Sequence, residues 1–154
     1  MTRHPTTIDD ESLIAALRLA SGSDPVPAQV TAAARAVFGL RLPGATTARS
    51  VVTPVPQGVR SAEGPRLLKF VAAELTVELE VTSLDGLVDL AGQISPCPEA
   101  GTLVEIRTPH LTESRALSPT GRFAVTGLPP GWFSVVCHRP EDLPVVTSWT
   151  RIRP

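Results

Sequence analysis

The stretch PTGRFAVTGLPPGWFSVV, Pro119–Val136, is the strongest indication of fold class in this sequence. Two runs of alternating apolar and polar residues flank a Gly-Leu-Pro-Pro-Gly turn, and a period of two is typical of strands with one buried face. Gly121 permits the positive φ of a tight turn. The two prolines cannot pair in a sheet ladder, so they mark a corner. The pattern predicts core positions at Phe123, Val125, Phe133 and Val135.

The same period extends over the chain from Arg66 onward. Its clearest run places apolar side chains at Leu75, Val77, Leu79 and Val81. Shorter runs follow between Gly and Pro turns, the last from Val145 to Ile152, giving about eight strands and no long helix. A mainly β fold is therefore expected, with an antiparallel β-sandwich over residues 66–154.

Residues 1–42 have a helical period instead. A first helix is indicated by Leu13, Ala16, Leu17 and Ala20 at i, i+3, i+4, i+7 spacing, with Thr7 and Asp10 as a capping box. A second helix is expected to start at Asp24, to carry Pro25 and Pro27 in its first turn and to end at Gly39. Its apolar stripe comprises Val30, Ala33, Ala34, Val37 and Phe38. The sequence predicts an α-helical hairpin whose small apolar faces need a partner surface.

Residues 43–65 are rich in proline and glycine and have little periodicity. They are predicted as a linker, with a short edge strand around Ser50 to Thr53.

The arrangement G-x-F-x-V-x-G-L-P-x-G-x-F-x-V resembles the carboxypeptidase-regulatory-like, transthyretin-like sandwich family. The resemblance covers roughly Arg66 to Ile152. It implies a small sandwich, immunoglobulin-like in its general build, in which this stretch is the last hairpin pair. The motif carries no catalytic residue.

The whole chain is also similar to a group of small actinobacterial proteins. The shared pattern includes the acidic start of the first helix, the "DPVP" start of the second, the "RLL" and "VELEV" strands and the closing "VVT" segment. That resemblance implies a gene neighbourhood of extracytoplasmic-function sigma factors and caspase-like CHAT-domain proteins. It thus implies a role in regulation or defence.

Composition limits the classes of partner. The 154 residues carry 14 basic and 15 acidic side chains, for a net charge of −1, and 42% of the residues are hydrophobic. No segment concentrates positive charge, so neither nucleic acid nor a membrane surface is expected as a partner. The N-terminus does not have the pattern of a secretory signal, and no apolar run could span a bilayer. A cytoplasmic protein with free thiols is expected.

Candidate chemistry is sparse. Cys97, His110, Cys137 and His138 have no compact zinc spacing, and neighbouring strand residues 137 and 138 point to opposite faces. Cys97 has no local base that would activate a thiol nucleophile. Glu74, Glu78 and Glu80 could supply a glycosidase-like pair of carboxylates, but a solvated strand face is the usual explanation for such a run. We expect no metal, no cofactor and no enzymatic activity.

Two features suggest binding surfaces. The helical stripes offer Leu13, Leu17, Val30, Val37 and Phe38 to a protein partner. Trp132 and Trp149 are the only tryptophans, and at least one of them is expected on the outward face if Phe133 takes the inner position, although burial in the core is the more usual place for tryptophan. The first hypothesis is a non-enzymatic interaction module for a sigma factor or CHAT-type protein. The alternative is a carbohydrate- or small-ligand-binding sandwich that uses surface tryptophan.

Overall fold

A computed structural model describes residues 9–23, 26–52 and 64–152 of the chain. The chain divides into two compact units, Met1–Leu40 and Arg41–Pro154. The first unit contains the helices and the second contains the strands, in agreement with the expected change of period. The boundary lies close to the end of the predicted helical segment.

The helical unit contains α1 (Asp10–Ser23) and α2 (Ala28–Gly39). Asp9 caps α1, because its Oδ1 accepts a hydrogen bond of 2.7 Å from the backbone N of Ser12. Hydrogen bonds from the side chain and the backbone of Ser12 lower the pKa of Asp9. Thr7, the expected cap, lies outside the described residues.

Pro27 occupies the N-cap position of α2, and its carbonyl accepts hydrogen bonds from Val30 and Thr31. Gly39 is the last helical residue, as expected. The predicted start at Asp24 and Pro25 lies outside the described residues. Two amphipathic helices at the N-terminus are confirmed.

The strand unit is mainly β, and its described residues form ten strands. They are β1 (Thr46–Val51), β2 (Arg66–Val71), β3 (Thr76–Leu84), β4 (Leu87–Ser95), β5 (Leu103–Arg107), β6 (Thr112–Ala116), β7 (Arg122–Leu128), β8 (Gly131–His138), β9 (Val145–Thr147) and β10 (Thr150–Ile152). The sheet order is β6-β5-β8-β9-β1-β2-β3-β4-β7, and β10 pairs with β8. The sheet is nearly closed, because its two end strands, β6 and β7, approach each other.

One pair departs from the expected antiparallel arrangement. β1 and β9 are parallel, with Thr46 opposite Val145 and Ala48 opposite Thr147, whereas every other strand pair in the described part of the chain is antiparallel. The sheet is therefore mixed. β1 lies within the predicted linker, starts before the expected Ser50, and is paired on both sides instead of lying at an edge. Residues 53–63 of that linker are outside the described part.

The predicted alternation is confirmed in β3, where Val77, Leu79 and Val81 are buried and Glu78 and Glu80 are exposed. The four core positions expected from the opening stretch are also buried: Phe123, Val125, Phe133 and Val135. They join one hydrophobic core with Phe70, Leu90, Ile94 and Ile106.

The Gly-Leu-Pro-Pro-Gly turn is a corner and not the turn of a hairpin. β7 pairs with β4, while β8 pairs with β5, β9 and β10. The prolines thus lead the chain from one end of the sheet to a strand in its other half. The expected last hairpin pair is wrong, although the corner itself is confirmed.

The predicted last strand, Val145 to Ile152, is divided into β9 and β10. The hydroxyl of Ser134 donates to the carbonyl of Thr147 at 3.0 Å, and the backbone N of Val135 donates to the Thr147 hydroxyl at 2.9 Å. Ser148 N donates to the carbonyl of Ala48 on β1. Between β9 and β10 the chain is thus held to β8 through Thr147 and to β1 through Ser148.

Gly121 and Gly127 allow a matched test of why the turn before β7 requires glycine. Their φ values are 76° and 73°, but an added Cβ would lie 2.6 Å from the carbonyl oxygen of Ile94 at Gly121 and would meet no atom within 4 Å at Gly127. We expect Gly127→Ala to lower the free energy of unfolding by about 1–2 kcal/mol through backbone strain alone. Gly121→Ala should cost about 1–3 kcal/mol more because the backbone must shift. Equal losses in urea unfolding would contradict the role of the Ile94 contact.

Candidate functional site

The apolar stripes of both helices are exposed. The five side chains expected to bind a partner, Leu13, Leu17, Val30, Val37 and Phe38, are each about half exposed or more, with Leu17 at 60% and Phe38 at 66%. No residue of α2 is buried. Ile14 and Leu19 are exposed as well. The helical unit thus presents apolar area that a partner could cover.

The tryptophans belong to the strand unit and differ in exposure. Trp132 is 50% exposed on β8, and its cross-strand partner on β10 is Arg151. Residues directly opposite each other on paired strands lie on the same face of the sheet, so the Trp132 indole and the Arg151 guanidinium are side by side on one face. Trp149 is half-buried and immediately precedes β10. Of the two tryptophans, Trp132 is therefore the more exposed.

The four possible metal ligands of the strand unit do not converge on one point. Cys97 is exposed in the loop after β4, and its Sγ donates to the Pro119 carbonyl at 3.1 Å. Cys137 is buried on the core side of β8, whereas His138 has its Nε2 3.3 Å from Glu105 Oε2. His110 lies in the turn after β5. Within residues 9–23, 26–52 and 64–152, no group of three His, Cys, Asp or Glu side chains could hold a metal ion.

Burial raises the pKa of the Cys137 thiol to about 11, and the positive charge of Arg139 partly offsets that effect. Arg139 is itself held by acidic and backbone groups. Its Nη1 lies 2.9 Å from Asp142 and 3.6 Å from Glu74, and its Nη2 donates to the Leu143 carbonyl at 3.0 Å. Glu74 therefore belongs to this ion-pair network and not to the β3 face.

Glu78 and Glu80 do share a face, and they line a surface feature that the sequence did not reveal. We call it the outer groove; it has a volume of about 500 Å³. Its outward side chains come from β2, β3, β4 and β7: Leu67, Lys69, Glu78, Glu80, Ala91, Gln93 and Arg122. Lys69 Nζ lies 2.9 Å from Glu78 Oε1, so only one of the two carboxylates remains without an ion pair among the described residues.

No protein-family model, curated protein or solved structure matches the chain. Neither α1 nor α2 is long and apolar enough to cross a lipid bilayer, and no other helix occurs among the described residues. The function therefore has to be inferred from the chain's own surfaces.

Cys137 predicts how stability changes in alkaline solution. In the unfolded chain the thiol ionises near its ordinary pKa of 9.0, whereas the folded chain keeps it neutral up to about 11. Unfolding then releases a proton across this window, so the free energy of unfolding should fall as pH rises from 9 towards 11. The chain has no tyrosine and a single lysine, so few other groups titrate there. Denaturant unfolding at several pH values should show this decline.

Cys137→Val should flatten the decline, because it removes the thiol and keeps an apolar side chain. Cys97→Ser, which changes the exposed thiol, should leave the decline in place. A decline that persists unchanged in Cys137→Val would show that another group causes it.

Proposed function

We propose that the chain is a non-enzymatic protein-interaction module of the cytoplasm whose N-terminal helices bind a protein partner. The observation that carries the proposal is the exposure of Leu13, Leu17, Val30, Val37 and Phe38 along two amphipathic helices. Covering apolar side chains is favourable by about 25 cal/mol for each Å² removed from water. An apolar groove on a partner would receive these stripes in the way that grooves receive amphipathic helices.

The strand unit serves as the scaffold in this proposal. We infer a two-layered sandwich of the transthyretin-like kind, formed as the nearly closed sheet packs across its single core. Support comes from the alternation of buried and exposed residues in β3, β4 and β7.

The partner class follows from the resemblance to small actinobacterial proteins. We propose a sigma factor or a CHAT-type, caspase-like protein encoded nearby. Neither nucleic acid nor a membrane is proposed, since the net charge of −1 provides no electrostatic attraction to either.

Two double variants with equal charge test the helical stripes. Leu17→Glu/Val37→Glu places one carboxylate on each apolar stripe, and Ala15→Glu/Ala32→Glu places one on the opposite side of each helix. We expect the stripe variant to weaken binding of the purified sigma factor or CHAT-domain protein at least tenfold, since it buries two charges. The control variant should bind within about twofold of the unchanged chain.

Circular dichroism should show equal helix content in both variants, which separates binding from folding. If both variants bind like the unchanged chain, the helical stripes are not the partner site. If the unchanged chain binds neither protein, the proposed partner class is wrong.

A carbohydrate or small ligand on the strand unit is the second candidate, favoured by the half-exposed indole of Trp132 beside Arg151. An indole face can pack against a sugar ring. In Trp149→Phe, acrylamide should quench the remaining Trp132 readily, and a bound oligosaccharide should protect it. In Trp132→Phe, the remaining Trp149 should resist quenching with or without sugar. This candidate fails if no oligosaccharide of a screening set protects Trp132.

A further inference from the structure

The outer groove is formed by two rows of side chains that run across four strands. Lys69, Glu78, Gln93 and Arg122 are successive cross-strand partners and make the first row. Leu67, Glu80, Ala91 and Ala124 make the second row in the same way. Each row belongs to the face opposite the core, because its members alternate along their strands with buried residues.

The floor of the groove is formed by β4, which has small residues at its centre. Ala91 contributes a single methyl group to the outward face, and the next residue, Gly92, has no side chain. Gly92 is required on the core side, since a Cβ there would overlap the ring of Phe123. The longer side chains of β2, β3 and β7 therefore rise on both sides of a shallow floor. The volume of about 500 Å³ is in the range of small-ligand sites.

Two opposite charges remain separate in this groove. Lys69 and Glu78 neutralise each other through their 2.9 Å contact. Glu80 and Arg122 are exposed and form no ion pair within the described part of the chain. Glu80 and Arg122 lie two strands apart in the sheet and are offset by two residues along the strand direction. Their Cα atoms are therefore about 12 Å apart. The groove thus has a negative side at β3 and a positive side at β7.

We propose that the outer groove binds a short extended peptide of three residues that carries both of its charged termini. The peptide's ammonium group lies against Glu80, and its carboxylate receives hydrogen bonds from the Arg122 guanidinium, which suits a carboxylate in a two-pronged geometry. Three extended residues span about 10 Å, which matches the separation of the two charges.

The remaining groups of the groove suit the middle of such a peptide. The Gln93 side chain lies between the two charges and can both donate to and accept from a peptide bond. Leu67 and Ala91 provide apolar area for a small side chain. Lys69 and Glu78 are already paired with each other, so neither is available to a ligand that carries a single net charge. Such a ligand should therefore bind less tightly than a zwitterion.

The test is a titration of the full, isotope-labelled chain with trialanine, followed by backbone amide signals of β3, β4 and β7. N-acetyl-trialanine and trialanine amide are matched probes, since each lacks one terminal charge. We expect saturable shifts for trialanine and about fivefold weaker binding for each blocked probe. Equal shifts with all three probes, or no saturable shift at about 10 mM trialanine, would overturn the proposal.

Variants locate the two termini. Glu80→Gln should weaken trialanine about fivefold and abolish the difference between trialanine and its acetylated form. Arg122→Gln should do the same for the amide form. Glu141→Gln and Arg151→Gln remove exposed charges outside the groove and should leave affinity unchanged. If these controls weaken binding as much as the groove variants, the effect is one of net charge and the proposal is wrong.

A charge-exchanged variant, Glu80→Arg/Arg122→Glu, separates recognition of the peptide from an effect on folding. It should bind trialanine again, because the zwitterion can bind in the reverse direction. The outer groove shares no residue with the helical stripes. Trialanine binding should therefore be unchanged in Leu17→Glu/Val37→Glu. The peptide proposal and the proposal of a protein partner for the helices can thus fail independently of each other.

Discussion

The parallel pairing of β1 with β9 is the constraint on which the strand unit depends. One run of antiparallel strands, β6-β5-β8-β9, and a second run, β1-β2-β3-β4-β7, meet only at this pair along the order of the sheet. Ala48 is the last residue of the pairing, opposite Thr147, and is fully buried. Its carbonyl also accepts the hydrogen bond from Ser148 N just beyond β9. The small side chain and the additional hydrogen bond join both runs around one core.

That constraint is also what the sequence could not show. The only buried residue of β1 is the small Ala48, and its one larger apolar residue, Val51, is exposed, so β1 lacks the alternation of large apolar residues by which a strand is recognised. Its partner β9 is three residues long and lies at the opposite end of the unit's sequence. Two strands that pair in parallel cannot be joined by a short turn, so no turn motif in the sequence indicates that they are partners. A linker was therefore the reasonable prediction for a segment that the structure places inside the sheet.

Structural features that depend on residues close together in the sequence were predicted well. The alternation in β3, the core positions of β7 and β8, the positive φ of Gly121 and the two amphipathic helices each follow from residues within one or two turns or pleats. The role of the Pro-Pro corner was only partly predicted. Proline excludes ladder pairing, but it does not say which strand receives the chain beyond the corner. That choice is made by the core, where Phe133 and Val135 pack among side chains from both runs.

The same distinction applies to the candidate binding surfaces. The helical stripes are local patterns, and five of their apolar residues were identified from spacing alone. The outer groove combines residues from Leu67 to Arg122, and each of them in isolation is typical of a solvated strand. The register of the strands decides which of these charges pair. It places Lys69 directly opposite Glu78, and it keeps Glu80 and Arg122 two strands apart. A sheet that keeps its apolar residues on one face can present such a pattern of charges on the other at little cost to folding, since exposed ion pairs and unpaired surface charges contribute little to stability.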